Sequence, residues 1–122
     1  MKKTVVILTL VAFVFGCNNN NSSTSPVNNT LALNDPQIGE GMQLISKSDC
    51  LTCHKVLEKS IGPSYADVAA KYPYSEANVS LLAQKIIQGG GGNWGQIQMS
   101  AHPDISEVNA KIMTKYILSL KK

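Results

Sequence analysis

Near the middle of this 122-residue chain, two cysteines stand three residues apart and a histidine follows the second. In Cys50-Leu51-Thr52-Cys53-His54, each thiol can add across one vinyl group of a haem, and the imidazole can bind the iron beneath the ring. This pattern predicts one covalent haem c, attached through Cys50 and Cys53, with His54 as an iron ligand.

The same side chains leave two other chemistries open. A disulfide between Cys50 and Cys53 would close a very short loop and would add little stability. A zinc ion bound by these cysteines, His54 and His102 would lack the second Cys-x-x-Cys or histidine pair that such sites usually have. Haem is the favoured interpretation.

A haem iron bound by His54 has a second axial position, for which methionines and a histidine compete. Met42 and Met113 lie in apolar stripes of predicted helices, where methionine is usually a core residue. His102 stands in a polar loop and is interpreted as a solvated side chain. Met99 ends the glycine-rich segment 89–99, and a long loop without helical period is usually functional. Met99 is therefore the predicted second ligand.

The elements that must position these residues are expected to be helices, about four of them. Serines at expected N-caps, a proline at a first turn and glycines at a helix end set the boundaries. The predicted helices cover about 35–47, 64–72, 75–88 and 106–120, and no segment alternates as a strand does. The predicted fold class is all-α. The small Gly41 would let the first helix cross the last one closely, near Tyr116.

The first residues predict export and anchoring. Residues 1–16 have two lysines and then an apolar run that is shorter than the ~20 residues needed to span a bilayer, as in a signal peptide. The run ends at Gly16-Cys17, which resembles the lipobox of bacterial lipoproteins and makes Cys17 the predicted lipidation site. Ordinary signal cleavage is the alternative.

The chain is predicted to consist of three segments: the signal peptide, an Asn/Ser-rich flexible tether over 17–34, and one small folded domain over 35–122. The formal net charge of +3 falls by two when Lys2 and Lys3 leave with the signal peptide. No basic patch then remains to indicate a nucleic-acid partner.

Three stretches together resemble class I cytochrome c, in its short bacterial monohaem branch. They are the attachment site over 48–54 (SDCLTCH), the segment over 61–69 (IGPSYADVA) and the loop over 94–99 (WGQIQM). The resemblance implies that about four helices wrap one haem. It also implies that the Pro63 carbonyl accepts a hydrogen bond from His54, that Met99 is the axial methionine, and that Trp94 bonds a haem propionate. Prolines often flank the methionine in this branch, whereas Gln98 and Ser100 flank it here, which favours a looser Met99 bond.

The expected function is electron transfer and not enzymatic catalysis, because an iron with both axial positions filled has no site for a substrate. The alternative is a peroxidase-like haem enzyme or a diatomic-gas sensor in which Met99 leaves the iron. The expected partners are periplasmic or membrane redox proteins, such as an oxidase, a reductase or a dehydrogenase, with no small-molecule substrate. We expect a monomer on the periplasmic side of a bacterial membrane, anchored at Cys17, with the outer membrane slightly favoured.

Overall fold

A computed structural model of the protein describes residues 35–121; the predicted signal peptide, the tether and Cys17 lie outside them. The described part forms five helices: α1 Gln37–Ser46, α2 Cys50–Cys53, α3 Tyr65–Lys71, α4 Glu76–Gln88 and α5 Glu107–Ser119. The all-α prediction is confirmed, with one helix more than expected. The additional helix is α2, a single turn made by the attachment motif itself and too short to show a helical period.

Serine side chains begin the three later helices. Ser64, Ser75 and Ser106 each accept a hydrogen bond from the backbone N–H three residues further on, at 3.0–3.2 Å. Such a cap satisfies one of the N–H groups that a helix start leaves without an intrahelical partner. The boundaries of these helices are therefore local properties of the sequence, which explains why their predicted starts agree with the structure.

Helix α5 is the centre of the packing, since it contacts α1, α3 and α4. Gly41 of α1 faces it so closely that a Cβ atom there would lie 2.5 Å from the carbonyl oxygen of Ile112 and 2.8 Å from the Cβ of Tyr116. This is the close crossing expected from the small residue. The buried cluster around it draws on α1, α3, α4 and α5: Ile45, Tyr65, Ala83, Ile86, Ala110, Met113 and Ile117.

An ion pair fastens the beginning of α1 to α5. The Lys115 Nζ atom lies 3.1 Å from a carboxylate oxygen of Asp35 and 2.7 Å from the amide oxygen of Gln37. The backbone N–H of Gln37 also donates to Asp35, and together with Lys115 it holds the pKa of that carboxyl below its usual value. Both charged side chains are about one fifth exposed, so solvent screens the pair less than it screens one on the open surface.

Within residues 35–121, no helix has the length and apolar character needed to cross a membrane.

Two glycines of α1 offer a matched test of the helix crossing. Gly39 has open space where a Cβ atom would stand, so Gly39→Ala should raise the free energy of unfolding by up to about 1 kcal/mol through helix propensity. Gly41→Ala should lower it by about 1–3 kcal/mol, because the new methyl group overlaps α5. Denaturant unfolding of the two haem-loaded variants, followed by circular dichroism, measures both changes. An equal gain in stability for both would contradict the close crossing.

Candidate haem site

A cavity of about 390 Å³ lies among the five helices and the loop between α4 and α5. Its volume is in the range of ordinary ligand pockets, and its walls are mainly apolar. Six of the seven predicted site residues line it: Cys50, Cys53, His54, Pro63, Trp94 and Met99. The seventh, Cys17, lies outside the described residues. Side chains distant in sequence are thus gathered around one cavity.

The attachment turn places both thiols on the cavity wall. Cys50 and Cys53 begin and end α2, and each is a separate, half-buried thiol. The turn is closed by the backbone N–H of His54, which donates to the carbonyl oxygen of Cys50 at 3.0 Å. His54 itself is extended, with φ −112° and ψ 149°, so the chain leaves the helix at this residue. Two unjoined thiols and an adjacent imidazole suit covalent haem attachment.

The ring of His54 has a defined tautomer. Its Nδ1 atom lies 2.7 Å from the carbonyl oxygen of Pro63, and a carbonyl can only accept, so Nδ1 carries the proton and donates. The Nε2 atom then holds a lone pair, which is the form in which imidazole binds a metal. The ring also stacks on Tyr65, with 5.4 Å between the ring centroids and 18° between the planes. Burial and the nearby Cys50 raise the pKa of the Tyr65 hydroxyl, so this residue stays neutral.

Gly62 makes room for this ring. A Cβ atom at Gly62 would stand 2.5 Å from Cε1 and 2.8 Å from Nδ1 of His54. The backbone N–H of Gly62 donates to the carbonyl oxygen of Cys53 at 2.8 Å, which folds the intervening loop back on the attachment turn. Gly62 and Pro63 therefore act together: the first lets the backbone approach the imidazole, and the second orients it.

The loop that carries Met99 is attached where α4 ends. Gly90 and Met99 exchange two backbone hydrogen bonds of 3.0 Å. Gly89 has φ +70°, and a Cβ atom there would lie 2.5 Å from the carbonyl oxygen of Met99, so both conformation and space require glycine. Residues 91–98 are exposed, whereas Met99 is half-buried and packs against the core. The loop thus directs Met99 inward while the rest of it stays at the surface.

Trp94 has a cationic neighbour that the sequence did not indicate. The Nζ atom of Lys71, in the last turn of α3, lies 4.5 Å from the Trp94 ring centroid and donates to the carbonyl oxygen of Asn93 at 2.9 Å. A cation over an indole face is a favourable contact. Lys71 therefore connects α3 to the tip of the Met99 loop. The bond between Trp94 and a propionate stays a prediction.

The interpretation of His102 as a solvated side chain is wrong. Its side chain is only 19% exposed, with Nδ1 3.3 Å from the carbonyl oxygen of Ile86 and Nε2 3.1 Å from a carboxylate oxygen of Asp49. No sequence signal pointed to a partner 53 residues away. Within residues 35–121, no three His, Cys, Asp or Glu side chains are grouped to hold a metal ion, so the zinc alternative finds no site there.

Comparison with known proteins places this arrangement in a family. Residues 38–121 match the family model described as cytochrome c. Cytochrome c-551 of Azotobacter vinelandii is 41% identical over 81 residues, which cover 66% of this chain and 98% of that protein. Cytochrome c-552 of Nitrosomonas europaea is 41% identical over 78 residues, covering 64% of this chain and 76% of that protein.

The structural comparison agrees. The crystal structure of wild-type Nitrosomonas europaea cytochrome c552 superposes with a TM-score of 0.62 at 40% identity, covering 66% of this chain and 99% of that protein. The paired thiols, the imidazole and the cavity all fit the one covalent haem c of such proteins. The chain therefore belongs to the cytochrome c family, with the class I fold of the small bacterial c-551 and c-552 type, and its function is electron transfer by a haem c.

Proposed function

We propose that this protein is a one-electron carrier in which His54 and Met99 bind the iron of the haem attached to Cys50 and Cys53. One observation carries the proposal: the hydrogen bond from Nδ1 of His54 to Pro63 prepares Nε2 as a ligand beside the two thiols. Met99 lines the same cavity and is held there by its backbone bridge to Gly90.

The residues determine what this site can do. When bound, the haem supplies an iron that changes oxidation state by one electron. His54 contributes a neutral nitrogen of fixed orientation, and the thioether of Met99 favours the ferrous state. With both residues bound to it, the iron would have no free position for a substrate. Apolar side chains that line the cavity, among them Ile45, Met113 and Ile117, would keep water from the haem and its ligands.

A displaceable Met99 is the alternative, and it would give a gas sensor or a peroxidase-like enzyme. The exposed, proline-free surroundings of Met99 motivate it, since residues 91–98 are exposed and Gln98 and Ser100 flank the ligand. Family membership favours the carrier. The two functions differ in whether a small ligand reaches ferrous iron while the protein is folded.

Removing the thioether tests the axial role of Met99. Met99→Ala should abolish the weak far-red absorption band of a ferric thioether-ligated haem, let carbon monoxide bind the ferrous protein, and lower the reduction potential by on the order of 0.1 V. Met42→Leu is the matched control, because Met42 lies on α1 and is half exposed. A wild-type protein that lacks the band at neutral pH and binds carbon monoxide rapidly would refute the carrier and favour the alternative.

Gly62→Ala tests the positioning of His54. The added methyl group would overlap the imidazole and push it away from the Pro63 carbonyl, which should weaken the iron–nitrogen bond and change the reduction potential. Voltammetry and paramagnetic NMR of the ferric protein measure the change. Gly39→Ala, on the exposed side of α1, should leave both readings as in wild type. Unchanged readings in Gly62→Ala would mean that the close approach has no role in ligation.

The proposed location is the periplasmic face of a bacterial membrane, with a lipid on Cys17, a preference for the outer membrane, and a monomeric carrier domain on a polar tether. The support is the sequence pattern of residues 1–34. Redox proteins of the periplasm or membrane, such as an oxidase, a reductase or a dehydrogenase, would exchange electrons with it.

Lipidation of Cys17 can be tested by fractionation. In a bacterial host with haem-maturation machinery, the wild-type protein should sediment with membranes and incorporate labelled palmitate. Cys17→Ser should lose the label completely. Asn19→Ser, in the adjacent tether, is the control and should stay membrane-bound. A wild-type protein that is released unlabelled into the periplasmic fraction would indicate ordinary signal cleavage.

A further inference from the structure

His102 lies at a junction of three parts of the protein. It follows Met99 by three residues, and its backbone N–H donates to the carbonyl oxygens of Ile86 and Ile87 at the end of α4, each at 3.1 Å. Its ring reaches the Ile86 carbonyl with one nitrogen, at 3.3 Å, and Asp49 with the other, at 3.1 Å. The loop is therefore joined here both to α4 and to the residue before the attachment turn.

Both partners of the ring can only accept hydrogen bonds, and a neutral imidazole carries a single N–H, so the neutral ring donates to one of them at a time and only a protonated ring donates to both. The Ile86 carbonyl belongs to the last turn of α4, where carbonyls have no intrahelical partner and carry the negative end of the helix dipole. Asp49 is the N-cap of α2 and is bonded to the attachment turn, since its carbonyl oxygen accepts the N–H of Thr52 at 2.9 Å. The ring of His102 thus links the end of α4 to the start of α2.

Besides His102, the Met99 loop is held by the bridge between Gly90 and Met99 and by Lys71, which contacts Asn93 and Trp94 at the loop tip. Four of its glycines have positive φ, from +70° to +115°, and residues 91–98 are exposed. The bridge between Gly90 and Met99 joins the two ends of the loop to each other. His102 then fastens the Met99 end to α4 and to Asp49, and no proline stands beside Met99 to restrict the backbone.

We propose that His102 is a positioning residue, which holds the Met99 loop against α4 and the attachment turn and so keeps Met99 on the iron. This inference rests on the proposed ligation by Met99. The two contacts of the ring contribute differently. Asp49 is 74% exposed, so solvent and salt weaken the attraction of its carboxylate for the ring, whereas the hydrogen bond to the uncharged Ile86 carbonyl persists at high salt.

The test measures how readily Met99 leaves the iron in the folded, haem-loaded protein. The rate of carbon monoxide binding to the ferrous form reports the population with a detached ligand, and the far-red band of the ferric form reports the bond on heating. His102→Ala should accelerate carbon monoxide binding about tenfold, the factor that corresponds to about 1.4 kcal/mol. His102→Gln, which restores one donor, should recover part of this change.

Two substitutions separate the contacts. Asp49→Asn removes the carboxylate charge and should accelerate carbon monoxide binding about twofold at low salt. At about 1 M salt, where the Debye length is short, it should leave the rate unchanged. His102→Ala should keep most of its effect at high salt. Asp104→Asn, an equal change of charge in the same loop, is the control and should leave the rate unchanged.

The outcomes distinguish this inference from the proposed ligation. In His102→Ala, loss of the far-red band well below the temperature at which helical circular dichroism is lost supports the positioning role. Simultaneous loss of both signals, or a wild-type rate of carbon monoxide binding, overturns it while leaving Met99 as the ligand. If wild type shows no band and Met99→Ala changes nothing, the ligation itself is wrong.

Discussion

The hydrogen bond from His54 to the Pro63 carbonyl is the interaction on which the site depends. It spans nine residues, and at 2.7 Å it sets the protonated nitrogen, the orientation of the ring and the path of the loop between α2 and α3. Gly62 must lack a side chain for this bond to form, and Ser64, directly after the proline, caps α3. A few adjacent residues thus convert a one-turn helix with two thiols into a site that can bind a metal on a defined atom.

The cavity also bears on the stability of the folded domain, because part of its wall is the hydrophobic core. Ile45, Met113 and Ile117 belong to the buried core and line the cavity at the same time. A domain of this size buries a limited apolar area by itself, so a large flat group covalently held among these side chains completes the core. The same side chains that pack α1 against α5, next to the close contact at Gly41, also form part of the cavity wall.

The two walls of the site differ in how they are held. His54 sits in a short, tightly bonded loop, whereas Met99 comes from a long exposed loop with glycines in the left-handed region. The second wall is instead secured at separate points, by the bridge to Gly90, by Lys71 near Trp94 and by His102. These contacts lie on both sides of the exposed segment 91–98 and at its tip, so the position of Met99 depends on a few separate points and not on one continuous network.

The sequence by itself determined the attachment chemistry, the all-α class and the helix starts. These depend on residues three or four positions apart: the spacing of Cys50, Cys53 and His54, and serine caps that bond N–H groups in the next turn. The single-turn α2 was missed because four residues carry no period. Only the tertiary structure decided the surroundings of His102, whose partner Asp49 is 53 positions away, and the contact of Lys71 with the Met99 loop. Such contacts arise from how α3, α4 and the loops pack together. A sequence pattern describes neighbours along the chain and gives no spatial distance between residues that are far apart in it.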